Sequence, residues 1–359
     1  MKLFRRISAI FLVLLLLAGC GMEGDASVSA EVPPAASAPS DAPESGLTVW
    51  FLDIGQGDST LLYSGGEYLL IDGGLPEMSD RLVTLLQSLG VERLKAVVCT
   101  HAHADHVGGL SAALAVFPTE AVYAPTADYA SASYDDFLYY VNQQGLTVTI
   151  PTPGDTLTLG DAVLTVLGPV KDYPDVNNTS LVLRADCGGK SFLFTGDMEQ
   201  EAEYDLLDAG APLKADVLKV GHHGSNSSTS YRFLQAVAPE YAALSCAVGN
   251  DYGHPHAEPL ARLRDAGVTL FRTDTLGTIR CDLEGQTLSF SWEKQSADPM
   301  YADYAARDGE HYIGNRNSLT LHAPTCEKLP SERNREEFTD YEEAIAAGYT
   351  PHYACLGAA

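Results

Sequence analysis

Positive charge is scarce in this chain. Its 359 residues hold 22 Lys and Arg against 48 Asp and Glu, a formal net charge of −26. That balance favours solubility and excludes a broad basic surface that grips nucleic acid by charge alone. Sustained apolar runs are scarce too: the longest, "IFLVLLLLA" at residues 10–18, is too short to span a bilayer. There is no GxSxG element and no convincing Cys/His pair in the main body of the chain, which counts against a protein nucleophile. Apolar content, at 45%, is ordinary and sufficient for a sizeable core.

What is present begins with a targeting pattern. "MKLFRR" is a basic opening, the apolar run follows, and "LAGC" ends it; this order is that of an exported protein's leader. "LAGC" resembles the lipobox of bacterial lipoproteins, which implies cleavage before Cys20, a lipid on its sulfur, and an extracellular protein held at the membrane. The loss of Lys2, Arg5 and Arg6 would leave 19 basic residues against 48 acidic ones, a charge of −29. Residues 21–46 are Ala, Ser, Pro and acid without an aromatic residue. They cannot bury enough surface to offset their ordering entropy, so they read as a flexible tether.

From Leu47 short apolar runs separated by Gly, Asp and Ser read as strands and tight turns: "LTVWFLDIG", "TLLYS", "EYLLIDGG". "DRLVTLLQSLG" has helical periodicity with Gly90 as a stop, and "LKAVVCT" is a buried strand. The alternation continues to "TLSFSW", with a hairpin expected across "CGG". Strand runs followed by helices in two similar halves predict an α+β sandwich, sheets face to face with helices outside. The chain turns polar over 293–310, and residues 311–357 form a separate small unit with too little core of its own. Cys99, Cys187, Cys246 and Cys281 lie in apolar stretches and read as core.

The buried strand ending at Thr100 delivers the chain into "HAHADH", residues 101–106, with three histidines and an aspartate in six positions. Imidazole nitrogens and carboxylate oxygens are ligands for zinc and related divalent ions, and the end of a buried strand is a rigid support for them. His101 and His103 can serve one ion, Asp105 and His106 a neighbouring one. Gly108 and Gly109 are expected to allow a tight entry into the next helix. Two divalent ions about 3.5 to 4 Å apart can activate water and polarise the bond under attack, so no protein nucleophile is needed.

"HAHADHVGG" resembles the HxHxDH motif of the metallo-β-lactamase superfamily. "FLDIGQGDST", "YLLIDGG", "NNTSLVLR", "FLFTGD", "LKVGHHGS" and "YGHPH" resemble, in the same order over residues 47–292, the extracellular hydrolase domain of ComEC, the competence DNA-uptake channel. The resemblance implies an αββα sandwich, with His101 and His103 on one ion, Asp105 and His106 on the other, and Asp197 bridging. One residue of the His222–His223 pair would complete the set. Adjacent residues at a strand end point in different directions, so only one should coordinate; His223 is favoured, with His222 facing the substrate. Asp105, His222 and His254 are placed among the residues acting on the substrate, His254 as a phosphate contact or proton donor to the leaving group. Asp72, Asp58 and Asn178 would support the ligands. One departure stands out: where many superfamily members carry a third histidine for the first ion, this chain has Asn177, Asn178, Thr179 and Ser180. That site should be weaker and richer in oxygen, which leaves manganese as plausible as zinc.

The tail carries His322 and Cys326 in HxxxC spacing and His352 and Cys355 in HxxC spacing. Four N/S ligands in a small unit fit a closed structural zinc; a Cys326–Cys355 disulfide is the alternative in an exported protein. The segment resembles the metal-binding module of the Ada DNA-repair protein, which implies a small zinc-ribbon-like fold, although His352 stands where such modules carry a cysteine. Together these features favour a membrane-tethered extracellular nuclease or phosphodiesterase acting on DNA, with local basic residues at Lys219, Arg272, Arg280, Arg316, Arg333 and Arg335 and a possible channel partner. The competing readings are a cell-surface metallohydrolase of another ester, such as a phosphorylcholine esterase, and a non-catalytic DNA-capture lipoprotein.

Overall fold

The computed structural model describes residues 46–294, 312–322, 326, 329–338, 344 and 347–351. The leader, Cys20 and the tether lie outside the described residues, as do His352 and Cys355.

Two sheets face each other. The first opens with β1 (Leu47–Phe51), β2 (Thr60–Ser64) and β3 (Glu67–Ile71), and continues with β4 (Leu94–Val98), β5 (Thr119–Tyr123) and β6 (Val148–Thr149). The second holds β7 (Thr156–Leu159), β8 (Ala162–Gly168), β9 (Val182–Cys187), β10 (Lys190–Phe194), β11 (Val217–Lys219), β12 (Tyr241–Leu244) and β13 (Thr269–Arg272). The chain then returns to the first sheet through β14 (Ile279–Glu284) and β15 (Thr287–Trp292). The strand orders are β15-β14-β1-β2-β3-β4-β5-β6 and β13-β12-β11-β10-β9-β8-β7. Each sheet is antiparallel on one side and parallel on the other: β3, β4, β5 and β6 run parallel, as do β10, β11, β12 and β13.

Side-chain alternation explains the layers. Val49 and Phe51 of β1 point between the sheets and pack with Leu164, Phe192, Phe194 and Phe271 of the facing sheet. Trp50, between them, points outward and joins Leu82, Leu86, Leu110 and Phe137. Those residues belong to α1 (Ser79–Ser88), α3 (Leu110–Val116) and α4 (Ala132–Gln143); a one-turn α2 (Ala104–Val107) precedes α3. The second sheet's outer face is covered by α5 (Gln200–Asp208), α6 (Tyr231–Val237) and α7 (Ala257–Asp265), through Leu206, Phe233 and Leu263. The layers are therefore αββα, and the four core cysteines are buried free thiols. The "CGG" hairpin forms as expected, pairing Lys190 with Cys187. Strands β6 and β7 were not anticipated; "TLTL" over β7 shows the period-2 pattern but is short.

Beyond the sandwich a four-stranded sheet holds β16 (Tyr312–Asn315), β17 (Thr320–His322), β18 (Arg335–Phe338) and β19 (Thr350–Pro351), in the order β18-β16-β17-β19. Tyr312, Leu321, Phe338 and Tyr349 form its cluster, and Tyr231 of α6 packs against it. Among the described residues, no helix is long and apolar enough to cross a membrane.

Candidate metal centre

All the candidate ligands of the sandwich sit just past the carboxyl ends of parallel strands, where open α/β sheets place their sites. β3 leads to Asp72, β4 to the 101–106 turn, β10 to Asp197, β11 to the 222–223 pair and β12 to the loop carrying His254. Strands of both sheets thus deliver side chains to one point.

Asp197 is that point. It is 2% exposed and four imidazoles approach it. His106 Nε2 lies 3.1 Å from its Oδ1; His223, His222 and His101 place Nε2 at 3.5, 3.8 and 3.9 Å from its Oδ2. Asp105 Oδ2 lies 3.3 Å from His223 Nε2. Donors of Asp105, His106, Asp197 and His223 all fall within 4.8 Å of one another. Two donors each about 2.1 Å from a tetrahedral ion sit about 3.4 Å apart, so these residues could hold a shared cation. His106 Nε2, His223 Nε2 and Asp197 Oδ1 are buried and have no hydrogen-bond partner. A protein seldom leaves such groups unsatisfied, and these three orphaned atoms face each other.

The other side of each ring is tied down. His106 Nδ1 is 2.8 Å from Asp72 Oδ2, and the same carboxylate accepts the backbone N–H and hydroxyl of Thr100, both at 2.7 Å. His223 Nδ1 lies 3.1 Å from the carbonyl of Ser245 and 3.3 Å from Asp58 Oδ1. Asp58 in turn holds the Lys219 ammonium at 2.8 Å. Asp72 and Asp58 therefore lie behind the imidazoles of His106 and His223. Asn178 is buried, and its Oδ1 accepts the N–H of Glu199 at 3.0 Å rather than touching a candidate ligand.

The electrostatics fit a cation. Asp58, Asp72, Asp105 and Asp197 lie around the histidines, and of the four Asp58 pairs with an ammonium, that of Lys219. Burial opposes charge on His106 and His223. Asp197, with Asp72 behind His106 and Asp58 behind His223, outweighs it and holds both imidazoles well above their ordinary range. Burial would raise Asp58, but Lys219 and then His223 hold it at about 2. Burial and the neighbouring His106 push His101 well below its ordinary value.

Lys219 is 2% exposed and committed to Asp58, so it is no phosphate contact. Arg272, Arg280 and Arg316 pair with Asp274, Asp282 and Glu336. Gly108 and Gly109 have ordinary helical φ values of −56° and −77°. They are glycines because a side chain at Gly108 would strike Pro76 and one at Gly109 the carbonyl of Gly73. Gly57 does need a special backbone: at φ 135°, its missing side chain lets the "GQGDS" loop lie on the carbonyl of Asp105. The "GHHGS" segment is not a strand end. His222 and His223 are consecutive left-handed residues, with φ of 47° and 52°, a strained geometry that aims both rings inward. One positioning residue is not legible in the sequence. Glu199 follows "FTGDM" and holds His222 Nδ1 at 3.2 Å.

His101 and His103 touch each other, Nε2 to Nδ1, at 3.2 Å, and stand outside the tight four-residue group. The His254 ring is centred 5.5 Å from that of His222 and stacks on exposed Tyr252. In the tail, His322 is buried and its Nδ1 lies 3.3 Å from Cys326 Sγ, half of the four-residue set expected there.

This fold and this carboxylate–imidazole cluster define a protein of the metal-dependent hydrolase type, with residues that could hold two metal ions. The chain belongs to the metallo-β-lactamase superfamily, whose family model matches residues 52–248. It is 32% identical to ComE operon protein 3 of Bacillus subtilis over 67% of this chain and 33% of that one. It is 33% identical to competence protein ComA of Neisseria gonorrhoeae over 70% and 35%, and 30% identical to recombination protein 2 of Haemophilus influenzae over 70% and 31%. The chain thus spans about one third of the length of these relatives.

Proposed function

We propose that this protein is a membrane-anchored extracellular phosphodiesterase that hydrolyses DNA at a two-metal centre built on Asp197. One observation carries the reading: buried, unsatisfied donors from both sheets converge on that carboxylate. His101 and His103 would hold one ion, Asp105, His106 and His223 the other, with Asp197 shared. When bound, two divalent ions supply an activated water and charge neutralisation for the leaving oxygen. The protein's own part is orientation. Asp72 and Asp58 fix the tautomers of His106 and His223 so that Nε2 faces inward, and the αββα frame keeps the donors from moving apart.

His254 serves this reading as a neutral hydrogen-bond donor to phosphate. Burial and the neighbouring His223 and His222 lower its pKa to about 4, so at neutral pH it holds no proton to give as an imidazolium. Phosphate reaches a chain of net charge −26 through the bound cations rather than through lysine and arginine. The competence relatives support DNA as the polymer, the "LAGC" leader supports the lipid anchor, and the His322–Cys326 contact supports a structural zinc with His352 and Cys355. The test is incubation of the purified lipoprotein, in detergent, with linear DNA in the presence of Mn²⁺, Zn²⁺ or EDTA. Cleavage with metal and none with EDTA supports the reading. Turnover of a small phosphodiester with intact DNA would move the substrate to another ester.

A further inference from the structure

The first-metal side lacks the histidine that "NNTS" would have supplied, and the structure shows what that segment does instead. Asn177 donates its side-chain N–H to Glu199 Oε1 at 3.2 Å, and Asn178 accepts the backbone N–H of Glu199. Ser180 Oγ caps the N–H of Asp197 at 3.1 Å and gives its own proton to the Asn177 carbonyl. Ser180 Oγ also lies 3.4 Å from His101 Nδ1, and Asn177 Oδ1 is buried without a hydrogen-bond partner. What they build is a seat for Glu199, and Glu199 Oε1 lies 3.2 Å from His222 Nδ1, with Ser227 Oγ at the same distance from that nitrogen. The ring is thereby turned so that Nε2 faces Asp197 Oδ2 at 3.8 Å, the carboxylate oxygen that His101 approaches at 3.9 Å and His223 at 3.5 Å.

The backbone bears a cost for this arrangement. Two consecutive non-glycine residues in the left-handed region, His222 at φ 47° and His223 at φ 52°, are strained. Both carry a carboxylate on Nδ1: Asp58 behind His223 and Glu199 behind His222. This is the arrangement that orients metal-ligating imidazoles.

We infer that His222 is the third imidazole of the first metal site, held by Glu199, and replaces the ligand missing at Asn177–Ser180. The inference rests on the two-metal reading above and turns His222 from a substrate-facing group into a ligand. Its test uses the full-length lipoprotein in detergent, stripped of metal and titrated with Mn²⁺, with bound equivalents counted and the electron paramagnetic resonance signal of a coupled ion pair recorded. Wild type is expected to show the coupled pair. His222→Ala should lose one equivalent relative to wild type, together with the pair signal, and keep a single isolated ion. Glu199→Gln, which retains the ring, should weaken that same equivalent by roughly 10- to 100-fold with an unchanged circular dichroism spectrum. His254→Ala should keep every equivalent. If His222→Ala holds as many ions as wild type with the pair signal intact, His222 is not a ligand and the inference fails while the two-metal reading stands. If wild type itself shows no pair, both fall, and the two failures are told apart by the wild-type spectrum alone.

Discussion

The two halves of the centre are built differently. On the Asp105–His106–His223 side, every donor is within 4.8 Å of the others, and each imidazole has a buried aspartate behind it. On the His101–His103 side the donors are looser, His103 is partly exposed, and the shared contact with Asp197 is 3.9 Å. The first half is preorganised by buried carboxylates. The second relies on Glu199, half-buried at the rim, and on whatever the ion itself draws together. The difference teaches that one shared carboxylate can join a tight site to a pliable one, and that the tight one should fill first.

The strongest way to break this contrast is to remove what the halves share. Asp197→Ala should abolish cleavage and both bound ions, with a loss well beyond the roughly 10- to 100-fold that disturbing a supporting group causes; metal analysis and DNA turnover check it. Next in size, Asp72→Asn and Asp58→Asn should each cost about 10- to 100-fold in affinity for the tighter ion, measured by titration. Asp58→Asn also strands the buried Lys219 ammonium, so it should lower the melting temperature more than Asp72→Asn does. A third test uses pH. His106 and His223 are raised well above 6.5 in the metal-free fold. Their protonation therefore stabilises that fold fully below about pH 6.5, and the benefit fades as pH rises through the folded values. Metal replaces those protons, so the gap in melting temperature between metal-loaded and metal-free protein should widen from pH 6 to pH 9; a constant gap would contradict the proton–metal exchange. A smaller effect belongs to Gly57→Ala, where the new methyl meets the Asp105 carbonyl at a left-handed φ. It should cost about 1–3 kcal/mol and loosen the tight half selectively, as read by chemical denaturation and metal titration.

Much of the tight half was legible in the residues. "HAHADH" after a continuous apolar strand, "GD" after another and "GHHG" after a third each place polar ligand types where a strand must end, and period-2 alternation in "LTVWF" and "SFLF" fixes which faces meet. What stayed hidden depends on backbone and on distance in space. The "GHHG" segment reads as the end of a strand, and nothing in its residue types announces two left-handed histidines. Lys219 looks like a surface cation until the fold places Asp58, 161 positions away, against it. Glu199 sits two residues past Asp197, in a stretch that reads as the approach to α5, and only the Asn177–Asn178 turn shows that it is held for a purpose.

The most direct measurement is a crystal structure grown with Mn²⁺, with anomalous scattering recorded at the manganese edge. Two peaks about 3.5 to 4 Å apart, one on each side of Asp197, are expected, the stronger beside Asp105, His106 and His223. A single peak, or peaks away from Asp197, would contradict a two-metal centre built on that carboxylate.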